Sequence, residues 1–182
     1  MRHRPPLFAY FRGNKPKVIL LAPPCKGYSR WGHFNKRINF DAWLDSRKLS
    51  VPLARFRLSG DVAKEQVSAG RHVFVEQPYG RGLYREPQWF QLKPILFTVV
   101  FDQCMTGLRM NKPPWWSVRK TTECKATHPL LLMHLQNLRC DGTHPHAHIG
   151  SWSDFGRRTV RSHEMQVWPQ QLCERIASGV VE

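Results

Sequence analysis

Short apolar runs alternate along the chain with longer stretches of helical periodicity. The runs at residues 17–22, 72–75 and 95–101 are typical of buried parallel strands, and each ends at a proline or an acidic residue. Residues 53–69 place apolar side chains on one helical face, and Gly70 follows as a helix stop. This alternation predicts an α/β fold with a mostly parallel sheet.

The second half of the chain carries weaker patterns. Residues 86–92 and 128–138 are predicted helices, and a last helix opens at Pro169 and would end at Gly179. Residues 139–160 show no clear period and are expected to be irregular.

Length and composition favour one domain of the globular class. The chain has 182 residues, of which 41% are hydrophobic, so wholesale disorder is excluded. Residues 1–16 are expected to be a basic, proline-containing lead-in, and residues 17–182 a single domain. No apolar run reaches the roughly 18 residues of a membrane span, and no signal-peptide pattern opens the chain.

The net charge and the spacing of the cysteines indicate the kind of partner and the cellular compartment to expect. Lysine and arginine number 28 against 13 acidic residues, which gives a net charge of +15. Such a charge favours a nucleic-acid partner but does not distinguish DNA from RNA, and no membrane partner is expected. Five widely spaced cysteines argue against a disulfide scaffold, so a nuclear or cytoplasmic protein is expected rather than a secreted one. The oligomeric state stays open.

Two chemically capable residues follow predicted strands. Cys25 follows Pro23 and Pro24, which stiffen its loop, and the nearby Lys26 would favour its thiolate. Glu76 ends the second apolar run, where a carboxylate must be hydrated, paired or functional. Ligands in such sheets bind beyond the carboxyl ends of the strands. The alternatives are a buried, inert thiol at Cys25 and a salt bridge from Glu76 to a nearby arginine.

Several motifs resemble a known enzyme family. Residues 22–29, Ala-Pro-Pro-Cys-Lys-Gly-Tyr-Ser, resemble the nucleophile loop of DNA (cytosine-5) methyltransferases. Residues 75–77, Val-Glu-Gln, resemble their Glu-Asn-Val motif. A wider resemblance is to a divergent methyltransferase-like group found in retroelement polyproteins and phage-like genomes, and it rests on residues 74–78, 101–108, 139–146 and 167–173.

The resemblance implies a fold, a mechanism and a partner, with DNA favoured over RNA. The thiolate of Cys25 would attack carbon 6 of cytosine, and carbon 5 would take a methyl group from S-adenosylmethionine. Glu76 would hold the ring nitrogen and amine, and Pro23 and Pro24 would line the cofactor site. A glycine-rich cofactor motif is missing before Cys25, where the lone glycine is Gly13. The resemblance therefore implies a Rossmann-like methyltransferase sheet that lacks its first cofactor-binding βα unit and is truncated at its N-terminal side.

Two interpretations of the function therefore remain open. The first is a cytosine-5 methyltransferase-like domain acting on nucleic acid, and the second is a catalytically dead, basic nucleic-acid-binding module of a mobile-element polyprotein. A small structural RNA-binding protein has only the charge in its favour.

A basic and aromatic segment follows Cys25 and is the predicted nucleic-acid contact. Basic side chains neutralise phosphates, and aromatic rings stack on unpaired bases. The predicted contact residues are Lys26, Tyr28, Ser29, Arg30, Trp31, Lys36 and Arg37. An ordinary amphipathic surface is the alternative. Trp115 and Trp116 form a second stacking candidate, for which core packing is the favoured interpretation.

One thiol and three imidazoles lie within nine residues of the chain, from Cys140 to His148. The turn at 141–142 could let Cys140 and His144 converge, as the ligands of a tetrahedral zinc ion do. The favoured set is Cys104, Cys140, His144 and His146, with His148 as a substitute. Such a structural zinc would staple the segment 139–150, and a histidine-rich loop without metal is the alternative.

Overall fold

The structure, a computed structural model, describes residues 4–23, 37, 39–41, 55–80, 82–110, 115–147, 151–154, 157–160 and 165–181. Its helices and strands are α1 (Arg4–Asn14), β1 (Val18–Leu21), α2 (Arg55–Ser68), β2 (His72–Pro78), α3 (Pro87–Phe90), β3 (Phe97–Asp102), β4 (Thr121–Ala126), β5 (Ser151–Asp154), β6 (Arg157–Val160) and α4 (Gln170–Val181). Short 3-10 turns cover Gly82–Arg85, Lys93–Ile95, Gln103–Thr106 and Pro129–Leu135.

The α/β class predicted from the sequence is confirmed, but the sheet is mixed rather than mostly parallel. Four strands pair in the order β1-β2-β4-β3, and only the β1–β2 pair is parallel. The prediction was wrong because it overlooked β4, which lies between β2 and β3 and runs against both. The polar and buried positions of β4 alternate, as expected of a strand that packs one face on a core. A separate two-stranded ribbon pairs β5 with β6.

The sheet buries side chains on both faces, because successive strand residues point to opposite sides. On one face Phe74 and Phe101 pack with side chains of α4 and of the 3-10 turn Pro129–Leu135. On the other face Val73 and Val75 pack with α2, α3 and the turn Gly82–Arg85. Trp89, with no exposed surface, is the largest fully buried side chain there.

Helix α1 is joined to the domain by side-chain contacts. Arg12 pairs with Glu65 of α2 at 2.7 Å, and Phe11 is buried. Gln66 is fully buried, and its amide nitrogen donates to the carbonyls of Pro16 at 2.7 Å and His72 at 3.2 Å. The predicted lead-in therefore contains a helix that packs against α2.

Three local predictions are corrected by the structure. Most of the segment 128–138 is a 3-10 turn rather than an α-helix. The segment 139–160, expected to be irregular, contains the β5–β6 hairpin. Helix α4 does not end at Gly179 but continues to Val181. None of the helices in the described part of the chain is both long and apolar enough to cross a membrane.

Gly179 allows α4 to approach the neighbouring 3-10 turn. A Cβ atom at this position would lie 2.8 Å from the carbonyl oxygen of Leu130, which is backbone and cannot rotate away. Gly13 of α1 offers a contrast, because a Cβ atom there would meet nothing within 4 Å.

We expect Gly179→Ala to lower the free energy of unfolding by about 1–3 kcal/mol, the usual effect of overpacking. Gly13→Ala is the matched control, and we expect it to stabilise the protein by up to about 1 kcal/mol because alanine favours helix. Urea denaturation of both variants measures the difference. Equal stability of the two variants would contradict the close approach at Gly179.

Candidate functional site

The carboxyl ends of β1, β2 and β3 and the first residues of β4 lie at one edge of the sheet. Here Asp102 pairs in register with Thr121, and Pro78 with Thr122. In α/β sheets, ligands bind in the crevice outside the carboxyl ends of strands. Two groups of chemically active side chains lie toward this edge, namely a cysteine–histidine cluster and a buried carboxyl group.

The cluster consists of Cys104, Cys140, His144 and His146, whose ligand atoms all lie within 4.8 Å of one another. Sγ of Cys140 is 3.3 Å from Nε2 of His146 and 3.8 Å from Nε2 of His144. A tetrahedral zinc ion with ordinary bond lengths would separate sulfur and nitrogen ligands by about 3.6 Å. The cluster could therefore hold a metal ion, and its members are the four residues that the sequence favoured.

Two short segments carry the cluster. Cys104 lies in the 3-10 turn Gln103–Thr106, directly after β3. Cys140 opens a second turn, in which the N–H of Gly142 donates to Sγ of Cys140 at 3.4 Å. Asp141 closes that turn by accepting the N–H of Thr143 at 3.0 Å. Hydrogen bonds to ligand atoms orient them for a metal, so the turn is suited to ligation.

Asp102 anchors the second segment to the end of β3. Its carboxylate is fully buried and accepts the N–H of Cys140 at 3.0 Å and the hydroxyl of Thr121 at 2.6 Å. The guanidinium groups of Arg139 and Arg119 lie 3.1 Å and 3.6 Å away. Burial alone would raise the pKa of Asp102, but these hydrogen bonds and cations outweigh burial and lower it. Asp102 is therefore ionised and holds the Cys140 turn against β3.

Cys104 is the most enclosed ligand of the cluster. Burial, followed by the neighbouring Cys140 thiol, raises the pKa of Cys104 to about 12. Metals bind the thiolate rather than the thiol, so an ion entering the cluster must displace this proton. The structure thus places a buried thiol where only a cation would favour its charged form.

Glu76 is the second buried carboxyl group of this edge besides Asp102, with 5% of its surface exposed. The ammonium of Lys120 lies 3.7 Å from Oε1, within ion-pair range but beyond hydrogen-bonding distance. Oε1 has no hydrogen-bond partner among the described residues. Burial raises the pKa of Glu76, while Lys120 and Trp168 only partly oppose that rise. The carboxyl group can therefore retain a proton more readily than an exposed one.

The neighbour of Glu76 fixes the end of β1. Gln77 is buried, and its amide nitrogen donates to the carbonyl of Pro23 at 2.6 Å. Parallel register places Leu21 beside Val75, so the chain leaving β1 passes alongside the end of β2. The segment that leads to Cys25 is therefore tied to the strand that carries Glu76.

Lys120 connects the two groups of side chains. Its ammonium faces Glu76 and also donates to the carbonyl of Met165 at 3.3 Å. Its own carbonyl accepts the N–H of Gln103, the first residue of the turn that holds Cys104. Lys120 therefore contacts both Glu76 and the turn that holds Cys104. Glu76 pairs with this lysine and not with a nearby arginine, which was the alternative considered from the sequence. Lys120 lies far from Glu76 along the chain, so the sequence does not indicate the pair.

Many residues predicted from the sequence lie outside the described part of the chain. These are Pro24, Cys25, Lys26, Tyr28, Ser29, Arg30, Trp31, Lys36 and the substitute ligand His148. Arg37 is described and exposed. Their roles in catalysis and in nucleic-acid binding stay predictions.

The described residues do not fit a site for S-adenosylmethionine. Gly13, the lone glycine before Cys25, lies within helix α1 rather than in a turn between a strand and a helix. Pro23 is buried, and its carbonyl is already bonded to Gln77. Pro24, the other predicted cofactor residue, lies outside the described part of the chain, so binding of S-adenosylmethionine stays a prediction.

Sequence reasoning missed Asp102 and Lys120. Asp102 carries the signal that singled out Glu76, a carboxylate at the end of an apolar run, and the same argument applies to it. Lys120 carries no comparable signal, because lysines are abundant in this chain.

Comparison with known proteins adds no relative. No family model matches the chain, and neither the curated proteins nor the solved structures include a significant match.

The raised pKa of Glu76 makes stability depend on pH. The folded protein holds a proton that the unfolded chain has already released, so this contribution is complete at low pH. It is lost as the pH rises from the ordinary value of 4.5 through the folded pKa. We expect Glu76→Gln, which cannot titrate, to gain stability relative to the unaltered protein over that rise.

Urea denaturation at pH values from about 4 to about 8 measures this difference. Glu174→Gln removes an exposed carboxyl group from α4 and controls for the loss of one charge. A difference between Glu76→Gln and the unaltered protein that stays constant with pH would show that Glu76 has no raised pKa.

Proposed function

We propose that the chain is a divergent cytosine-5 methyltransferase-like domain that presents Cys25 and Glu76 to a cytosine base in nucleic acid. The observation that carries this proposal is the buried, incompletely hydrogen-bonded carboxyl group of Glu76, two residues before the end of β2 and beside the chain that leads to Cys25. A buried polar atom without a partner is expected to acquire one from a ligand.

Chain connectivity supports the pairing of the two residues. Cys25 follows Pro23 by two positions, so their Cα atoms can be no more than about 7 Å apart. The carbonyl of Pro23 is held by Gln77, the residue next to Glu76. A base that reached Oε1 of Glu76 would therefore lie within reach of the Cys25 loop.

The addition of Cys25 to cytosine requires no methyl donor. The thiolate of Cys25 forms a bond to carbon 6 of cytosine, and the electron pair of the C5–C6 double bond moves toward carbon 5. Glu76, which retains its proton more readily than an exposed carboxyl group, would donate it to ring nitrogen 3 and neutralise the adduct. Carbon 5 can then take a proton from solvent and lose its original proton. Expulsion of the Cys25 thiolate, with return of the proton on ring nitrogen 3 to the Glu76 carboxylate, restores the base and the protein.

Exchange of the carbon-5 hydrogen of cytosine with deuterated water tests this reaction. We expect exchange in single-stranded DNA, where the base needs no extrusion from a duplex. Cys25→Ser should abolish exchange, and Glu76→Gln should slow it by about a hundredfold or more because the general acid is lost. Mass spectrometry of the recovered nucleoside measures the exchange.

Cys173→Ser is the matched control, since it alters an exposed cysteine of α4, and exchange should be unchanged. Full exchange by Cys25→Ser would overturn the proposal. Parallel reactions with labelled S-adenosylmethionine report whether methyl transfer follows addition.

We also propose that the cysteine–histidine cluster binds one zinc ion with a structural role. Two thiolates and two imidazoles suit zinc, and four protein ligands leave no open position for a reactive water. The ion would fasten the Cys140 turn to the end of β3, next to the Asp102 carboxylate that already joins them.

Elemental analysis of the purified protein is expected to find one equivalent of zinc. Cys140→Ala should lose the metal and unfold at a lower temperature, because structural zinc contributes directly to folding. Cys173→Ala should keep both the metal and the melting temperature. A metal-free protein whose melting temperature is unaffected by added zinc would contradict this proposal.

A basic module that binds nucleic acid without catalysis is the second candidate, and the net charge of +15 favours it. It shares the zinc site but requires no addition to cytosine. Nucleic-acid binding that weakens steeply with salt, together with no carbon-5 exchange, would select this candidate.

A further inference from the structure

Trp115 and Trp116 expose 59% and 48% of their surface. Core packing, which the sequence favoured for this pair, is therefore wrong. Large adjacent aromatic side chains are seldom left in water without a partner, and tryptophan is among the residues most enriched where proteins bind other molecules. The pair therefore marks a binding surface rather than a part of the core.

The backbone beneath the pair is firmly held. The N–H of Met110 donates to the carbonyl of Trp116 at 3.0 Å, and the N–H of Val118 donates to that of Leu108 at 2.9 Å. A third segment joins them, because the N–H of Ala147 donates to the carbonyl of Ser117 at 2.8 Å. Residues Leu108, Met110, Val118, Ala147 and Met165 form a small core under this hairpin. The tryptophans therefore lie on a hydrogen-bonded backbone that is packed on a small apolar core.

Trp115 adopts a left-handed backbone conformation, with φ of 33°. This region is unfavourable for a bulky residue that is not glycine. Such conformations persist where the surrounding structure holds them, and they cluster at binding sites. The strain is a second observation that points to a function for this turn.

Cationic side chains accompany the pair. Arg109 pairs across the hairpin with Ser117, and Arg119 follows Ser117 by two residues, so both arginines belong to one face. Arg119 and Arg139 keep 47% and 52% of their side-chain surface exposed while they contact Asp102. Arg119 and Arg139 therefore place two guanidinium groups beside one buried carboxylate, and the exposed Arg109 adds a further positive charge, which leaves an excess of positive charge.

We propose that Trp115 and Trp116 bind unpaired bases of a single nucleic-acid strand, whose phosphates contact Arg109, Arg119 and Arg139. Flat aromatic faces stack on bases of any sequence, and guanidinium groups bind phosphates. The inference rests on nucleic acid as the partner in the proposed function, and it assigns a surface to that partner. His146 pairs with Ser117, so the surface is continuous with the cysteine–histidine cluster.

The test compares binding of a short fluorescein-labelled DNA strand with binding of its duplex, by anisotropy at several salt concentrations. The double variant Trp115→Ala/Trp116→Ala should bind the single strand about tenfold or more weakly, because two stacking contacts are lost. Duplex binding and the salt dependence should change little, because the arginines remain. Trp115→Phe/Trp116→Phe should retain most of the affinity.

Phe90→Ala is the matched control. Phe90 is 52% exposed and lies 4.6 Å from the ammonium of Lys93, so it also removes an exposed aromatic ring beside a cation. Its single-strand affinity should equal that of the unaltered protein. Circular dichroism and zinc content verify that each variant is folded. An RNA strand of the same sequence shows which sugar is preferred.

Three results would overturn the inference. They are unchanged single-strand affinity of the double alanine variant, an equal loss for strand and duplex, and a tryptophan-dependent oligomer in light scattering, which would make a second copy the partner. Failure here remains distinct from failure of the addition chemistry. If carbon-5 exchange occurs and binding does not depend on the tryptophans, only the proposed surface is refuted. If binding depends on the tryptophans but no exchange occurs, only the Cys25 reaction is refuted.

Discussion

The edge of the sheet depends on a single buried charge, the carboxylate of Asp102. It joins the end of β3 to Thr121 at the start of β4 and to the backbone of Cys140. A carboxylate without exposed surface is tolerated only when its oxygens are satisfied, and here two hydrogen bonds and two arginines satisfy them. The ligands of the cluster converge because this charge holds their segments together.

The sequence allowed prediction of those parts that local patterns encode. Continuous apolar runs located β1, β2 and β3, and helical periodicity located α2. The cluster of Cys104 with the 140–146 segment was also accessible, because few residue types bind zinc and their spacing is restrictive. Its position at a strand end followed from the apolar run that precedes Cys104.

The features that the sequence did not predict depend on contacts between distant segments. Strand β4 lies between β2 and β3, a position that no local pattern specifies, and it changes the sheet from parallel to mixed. The ion pair of Glu76 with Lys120 arises only from that insertion. Gly179 lies within α4 instead of ending it, and the turn Pro129–Leu135 approaches α4 at this position, which is again a tertiary contact.

The strand order also has a consequence for when a metal ion could enter the cysteine–histidine cluster. β1 pairs with β2 through residues as far apart as Val18 and His72, and β2 pairs with β4 across all of β3. Pairings between distant segments form slowly, because a long loop must close before contacts compensate for its lost entropy. Cys104 and Cys140 are separated along the chain by β4 and the turn Pro129–Leu135, so their segments come together only after that part of the chain has folded. Metal capture would therefore be a late event that seals a folded domain, and newly made chains would pass through a stage with reactive, unligated thiols.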